Sequence, residues 1–435
     1  MKVLLIYPVI EDDRSGRSPW AFRAANMVTT YLAAFFPPDV EVEILDEYVE
    51  PMRYDIDADL VGISVLTPTA KYAYEMADRL RRDGRTVIAG GIHPSVFPHE
   101  AAQHFDAVVV GEAETLIGQL VNDFKAGKLK KFYRAPQLAC LEHLPPPRWD
   151  LLKTNRYIIP RSVFATRGCP YDCSFCAIHL AQGRGFRKRP VRDVAEEIER
   201  IDTKRFIFWD DNLTVDQDYA LRLFQEIAPL KKTWTSQTDF NVTLNDELLK
   251  AAEKSGCVGF FIGVETISPA SLEGVQKYHN HVRKYREGID RMHANGLSLG
   301  AGMVVGFDSD TCRIFQDILE FADDVHLDAA YFKILTPYPG TRMFTEMSKK
   351  GRILTRDWDK YLAHKHVVYQ PQLMEPEELE AGFHWMTQKF YSIPSMVRRL
   401  WGAHAGKGIK GSLPVNIGYW LFYHFLAREK GWNPA

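Results

Sequence analysis

Three cysteines stand together in the stretch Gly168-Cys169-Pro170-Tyr171-Asp172-Cys173-Ser174-Phe175-Cys176, in the spacing C-x-x-x-C-x-x-C. Thiolates are soft ligands that suit iron-sulfur clusters and zinc. A 4Fe-4S cluster normally takes four of them. Three on one loop would leave one iron open to a substrate-like molecule. Zinc is the rival reading, but structural zinc sites join a C-x-x-C pair to a second, distant pair or to histidines. No such partner occurs in this chain, and a purely structural role for the three thiols is the remaining alternative. Cys140, Cys257 and Cys312 are isolated and read as buried structural thiols.

The cysteine stretch follows a strand-like run at 162–166. It is therefore a loop at the C-terminal end of a strand, where α/β folds place their chemistry. Further apolar runs at 205–209, 233–237, 258–264, 297–305 and 329–335 alternate with helical patterns such as 191–199 and 246–255. Six strand-helix units fit a partial parallel barrel. Ahead of it, strands are expected at 2–7, 40–45, 60–65, 86–89 and 107–110, with helices near 20–36, 69–83, 95–104 and 113–125. That alternation specifies a doubly wound parallel sheet. Its strand ends carry Ser64 with Thr67, then Gly90-Gly91, then Gly111-Glu112. Glycines there let a large planar or phosphate-bearing ligand approach the backbone. A G-x-G-x-x-G after the first strand is missing, so a dinucleotide fingerprint is absent. The chain divides into a first domain at 1–125, a linker at 126–154 containing Pro145-Pro146-Pro147, a barrel at 155–345 and a mainly helical segment at 346–435.

With Phe175 before the third cysteine, the loop resembles the C-x-x-x-C-x-Φ-C signature of the radical S-adenosylmethionine (SAM) enzymes. The resemblance implies that Cys169, Cys173 and Cys176 hold a 4Fe-4S cluster and that SAM chelates the open iron. Reductive cleavage of SAM then gives a 5′-deoxyadenosyl radical. It also places SAM against Phe175, Asp211, Gln237, Glu265, Gly302, Val304 and Leu335, with Glu265 at the position that takes the ribose hydroxyls. The family's Gly-Gly-Glu is replaced by Asp210-Asp211-Asn212. The first domain resembles the cobalamin-binding domain fused in front of many radical SAM enzymes. That likeness implies a cobalamin site at Ser64, Thr67, Gly90, Gly91, Gly111 and Glu112. The cobalt-ligating histidine of many such domains is lacking, because no histidine precedes His93. Cobalt with no histidine ligand from that loop is expected.

The implied activity is cobalamin-dependent methylation of an unactivated carbon. The alternatives are a radical oxidase, cyclase or rearrangement enzyme, and a non-catalytic corrinoid and iron-sulfur sensor. An external electron donor such as flavodoxin or ferredoxin and a small-molecule or lipid-like substrate are the implied partners. A formal net charge of -2 gives no reason to expect nucleic acid. No run of about 18 apolar residues is present, so no transmembrane helix is expected. The opening residues read as a first strand, not a signal peptide, and the clustered thiols fit a reducing cytoplasm. Gly183-Arg184-Gly185-Phe186-Arg187-Lys188-Arg189 reads as a cationic clasp or a solvated loop. The aromatic run 415–426, near Arg398, Arg399, Lys407 and Lys410, reads as packing on the fold in preference to a membrane-surface segment.

Overall fold

The computed structural model describes residues 1–9, 24–403 and 412–421. Strands β1 (Lys2–Tyr7), β2 (Glu41–Asp46), β3 (Leu60–Ser64), β4 (Thr86–Gly90), β5 (Ala107–Val110) and β6 (Phe132–Arg134) form one parallel sheet in the order β2-β1-β3-β4-β5-β6. Successive side chains alternate between two apolar faces. Leu4, Ile6, Val61 and Ile63 pack with the helix Ala70–Arg82. Val3, Leu5, Ile88 and Val109 pack on the other face, with the helices Val28–Ala33 and Ile117–Lys125. This is the expected doubly wound sheet. Its strand order reverses at β1 and β3, and ligands of such sheets bind at that switch point.

Two details differ from the sequence reading. The helix expected near 95–104 is two helices, Ile92–Val96 and Pro98–His104, because Pro98 lacks an amide hydrogen and disfavours helical backbone at Phe97. The stretch read as linker contributes β6, a strand too short to show periodicity.

The second sheet starts with β7 (Ser162–Val163). It continues, after β8 (Thr166–Arg167) and β9 (Arg187–Lys188), with β10 (Arg205–Phe208), β11 (Thr233–Thr238), β12 (Cys257–Glu265), β13 (Ser298–Val305) and β14 (Ala329–Ile334). Its six strands run parallel in the order β14-β13-β12-β11-β10-β7, a partial barrel backed by helices, and β8 pairs antiparallel with β9. The single strand expected at 162–166 is thus two short ones. The Asp210 carboxylate takes the Ala165 amide at 3.1 Å and the Thr166 amide at 2.5 Å, which removes both from the ladder. Trp234 is fully buried in the barrel core. Its replacement by alanine would cost about 3–5 kcal/mol.

After β14 come the helix Arg342–Lys349, an irregular stretch closed by an Ile353–Tyr369 bridge, and the helices Pro376–Phe390, Ile393–Ala403 and 412–421. Most aromatics of this segment pack: Tyr361 and Tyr369 are buried, and Trp358 stacks on Phe97. Tyr419 packs against Tyr331 and Tyr391. Residues 422–426 of the aromatic run, and Lys407 and Lys410, lie outside the described residues. No helix among the described residues is long and apolar enough to cross a membrane.

Specific polar contacts tie the first sheet to the barrel. Tyr157 donates to Asp46 at 2.7 Å, Trp358 to Glu100 at 2.9 Å, and Tyr31 to Glu197. Trp149 packs on the barrel core and Leu152 on the first sheet, so the residues after the triple proline bridge the two. The mouth of the barrel therefore faces the C-terminal edge of the first sheet.

Candidate functional site

The cysteine loop leaves β8 through Gly168, whose φ of +81° and crowding require glycine: an added Cβ would lie 2.3 Å from the Gly185 carbonyl oxygen. Backbone bonds then fix its course. Cys176 N donates to Cys173 O at 3.1 Å, Ser174 N to Val275 O at 3.0 Å, and Met343 N to Ser174 O at 3.0 Å. Gly168 N donates to Gln182 Oε1 at 2.7 Å and Asp211 Oδ2 at 3.2 Å. The result points Cys169, Cys173 and Cys176 into one cavity of about 480 Å³ at the barrel mouth. Burial raises all three thiol pKa values, that of Cys173 to about 11 and that of Cys176 to about 12.

The same cavity is lined by Phe175, Asp211, Gln237, Glu265, Gly302, Val304 and Leu335. Seven positions expected from six separate segments thus meet in one space. Glu265 ends β12 in left-handed backbone, with φ at +64°, where the pairing with β13 slips by a residue. Such strain in a non-glycine residue collects at functional sites. Its carboxylate lies 3.0 Å from Nζ of the buried Lys277. Burial opposes the lysine's charge, but the Glu265 carboxylate outweighs it, and the Lys277 pKa stands above its ordinary value.

A second cavity of about 360 Å³ opens at the switch point of the first sheet, bounded by Leu5 and Tyr7 of β1, Gly62 and Ser64 of β3, and Leu32, Ile117 and Leu120 of the helices. Gly90, Gly91, Gly111 and Glu112 line it too. Thr67 does not; its hydroxyl lies 3.3 Å from Nδ1 of the buried His93. No described histidine lines this cavity. Ile92, Ala181 and Gln182 line both cavities, so the two spaces share a wall.

Comparison with known proteins agrees with this geometry. Residues 163–322 match the family model of the Radical SAM superfamily, and residues 20–121 that of the B12 binding domain. Bacteriochlorophyllide d C-12(1)-methyltransferase of Chlorobaculum tepidum is 31% identical over 390 residues, 86% of this chain and 84% of that protein. The C-8(2)-methyltransferase of the same organism is 30% identical, with 84% of each covered. The chain belongs to the cobalamin-dependent radical SAM methyltransferases. The fold agrees: the radical SAM methyltransferase TsrM from Kitasatospora setae, solved with tryptophan and a SAM analogue, superposes with a TM-score of 0.67 at 15% identity over 99% of both chains. As a radical SAM enzyme of this family, the protein uses a 4Fe-4S cluster, SAM and cobalamin.

The residues fit these groups. Among the described residues, no three His, Cys, Asp or Glu side chains converge to hold one metal ion. The three cysteines share one cavity, and a cluster spreads its thiolates over several irons. Asn212 Nδ2 donates to Cys169 Sγ at 3.8 Å, a hydrogen bond of the kind that tunes cluster sulfurs. In the second cavity, a Cβ built on Gly90 or Gly111 meets nothing within 4 Å, so bare backbone faces open space there.

Several of this enzyme's cavity residues escaped the sequence reading. Lys277, Asp239 and Lys333 line the first cavity, as do Tyr171 and His279, stacked at 3.6 Å between ring centroids. Burial and Lys277 push the His279 pKa down to about 3, so this imidazole is neutral. These positions belong to no short motif; only the fold brings them in. The basic loop is solvated in part: Arg184 and Lys188 are exposed and pair with Asp172 and Asp216, whereas Arg187 pairs with Glu112 and the buried Arg189 with Glu197. Of the isolated cysteines, Cys257 is buried as expected, whereas Cys140 and Cys312 are exposed.

Proposed function

We propose that the enzyme transfers a methyl group to an unactivated carbon of a large apolar small molecule, of the tetrapyrrole class on which its bacteriochlorophyllide-methylating relatives are named to act. The single observation that carries this reading is the shared wall: Ile92, Ala181 and Gln182 bound both the cysteine cavity and the switch-point cavity. A radical formed on one side and a methyl donor held on the other would then reach the same substrate carbon. When bound, the cluster and SAM supply the hydrogen-abstracting radical, and cobalamin supplies the methyl group.

The chain's own part is to bind, orient and exclude water. Cys169, Cys173 and Cys176 would hold the cluster. The Glu265 carboxylate would accept two hydrogen bonds from the ribose hydroxyls, held in place by Lys277. Asp211 and Gln237 would receive the SAM ammonium beside the open iron, with Phe175, Gly302, Val304 and Leu335 packed along the nucleoside. Ser64, Gly90, Gly91 and Gly111 would bound the corrinoid site. Thr67 lies outside that cavity, its hydroxyl facing His93, whereas Glu112 lines it with its carboxylate engaged by Arg167 and Arg187. A flavodoxin- or ferredoxin-like donor in the cytoplasm would reduce the cluster.

The experiment is anaerobic reconstitution followed by incubation with SAM carrying a CD3 group and a chlorophyllide extract. A tetrapyrrole product bearing the CD3 label is expected. Release of 5′-deoxyadenosine with an oxidised or cyclised, unlabelled product would instead assign the enzyme to the oxidase and cyclase alternative.

A further inference from the structure

The last two described helices are inverted relative to an ordinary surface helix, which turns its apolar stripe to the core. In Ile393–Ala403 the outward positions are Ile393, Val397 and Trp401, exposed to 57%, 56% and 86%. In helix 412–421 they are Leu413, Ile417 and Leu421, at the same i, i+4, i+8 spacing and also exposed. Apart from the buried Leu400, the inward side chains are polar: Ser395 and Arg399 on the first helix, Ser412 and Asn416 on the second, all buried. Arg399 donates to Phe390 O at 2.9 Å and to Asn416 Oδ1 at 3.2 Å, and Asn416 Nδ2 donates to Asp328 O at 2.7 Å. This buried network fixes the rotation of both helices and so fixes the apolar face outward. An apolar stripe repeated on two neighbouring helices marks an interaction surface.

Charge identifies the occupant. Residues 393–435 contain six Lys and Arg against the single acidic Glu429. Arg399 is engaged in the buried network and Arg398 pairs with Asp323 at 2.8 Å, so the excess of positive charge comes from Lys407, Lys410, Arg428 and Lys430 of the same sequence stretch. The chain as a whole is at -2, so the preceding residues carry net negative charge. A basic segment with an outward apolar stripe and a tryptophan at its most exposed point matches the interface of an anionic bilayer. A second copy of the same face would set like charge against like. At 11 residues the first helix is only about 16 Å long, far short of a hydrocarbon core of about 30 Å, so it lies on the surface and does not span it.

We propose that the face formed by Ile393, Val397, Trp401, Leu413, Ile417 and Leu421 docks the enzyme on the surface of an anionic lipid bilayer. The packing reading of the aromatic C-terminus then holds for its inner face alone, through Tyr419. The test is flotation of the full-length, anaerobically reconstituted protein with phosphatidylglycerol–phosphatidylcholine vesicles. It needs no turnover, so its result does not depend on the proposed methylation. The protein is expected to float with these vesicles and to be released by salt, with pure phosphatidylcholine retaining little of it. Val397→Ser, Trp401→Ser and Ile417→Ser combined should lower the bound fraction by about ten-fold or more, with cluster absorbance and melting temperature unchanged. Leu373→Ser, an exposed apolar site elsewhere, should change nothing. Failure of the parent to float with the anionic vesicles, or undiminished flotation of the triple variant, would overturn the proposal. So would a concentration-dependent dimer that the triple substitution dissolves, seen without flotation.

Discussion

Glu265 joins three features: left-handed backbone, a slipped register and a buried lysine partner. Glu265→Gln keeps the side chain's size and removes its charge. The variant should retain the cluster absorbance and bind SAM more weakly by roughly 1–3 kcal/mol in an anaerobic titration, the worth of charge-assisted hydrogen bonds. Unchanged affinity would remove Glu265 from the SAM site. Asp210, next to the SAM-site candidate Asp211, has a structural task, and burial pushes its pKa up to about 7. Between the unfolded value of about 3.9 and that value, the folded chain holds a proton that the unfolded chain has released. Stability from this group is complete below the window and is lost as pH rises through it. Melting temperatures at pH 5 and pH 8 should therefore diverge less in Asp210→Asn than in the parent; equal divergence would assign the pH dependence to other groups. At this scale the cysteines were legible because their type and spacing carry the chemistry, and Glu265 through the family resemblance. Lys277 was not, since its meaning comes only from a carboxylate on another element.

Among the elements, the strands of both sheets other than β6 were legible in their apolar runs, and the strand ends in their glycines. What the sequence could not separate is why each glycine is there. Gly91, at φ +106°, would place a Cβ 2.7 Å from the Val65 carbonyl oxygen, so it is required by the fold itself. Gly90 has open space where a side chain would go, and that space is the cavity. The two positions should respond differently. Gly90→Leu should fold, keep its cluster and lose cobalamin binding, as read by cobalamin retained after gel filtration. Gly91→Leu should lose the fold along with the ligand. Cobalamin retained by a folded Gly90→Leu protein would move the corrinoid away from this strand end. The division of β7 from β8 was equally hidden, because the diverting carboxylate, Asp210, lies more than forty residues away in sequence.

At the scale of the whole molecule, one ion cluster joins the first sheet to the cysteine loop. Arg167, next to Gly168, reaches Glu112 at 3.1 Å and Glu114 at 2.5 Å, and Arg187 reaches Glu112 at 2.5 Å. Burial opposes the Glu112 charge, but Arg187 and the Ala139 amide hold its carboxyl below the usual range. Glu112→Gln should lower stability by about 1–3 kcal/mol, seen as a lower melting temperature, because two partly buried guanidinium groups lose their shared partner. No change would mean that Glu114 alone suffices. Glu112 was legible as a strand-end residue but not as a strut, since both arginines arrive from the other domain. The strut matters because the proposed chemistry requires two cavities held against a common wall. The most direct measurement is made on anaerobically reconstituted protein given hydroxocobalamin, reductant and CD3-labelled SAM, then passed over a desalting column. Stoichiometric cobalamin should remain on the protein, carrying the CD3 label, with no histidine nitrogen splitting the resonance of its Co(II) form. A protein that keeps its cluster and cleaves SAM, yet retains no cobalamin, would contradict the two-cavity reading.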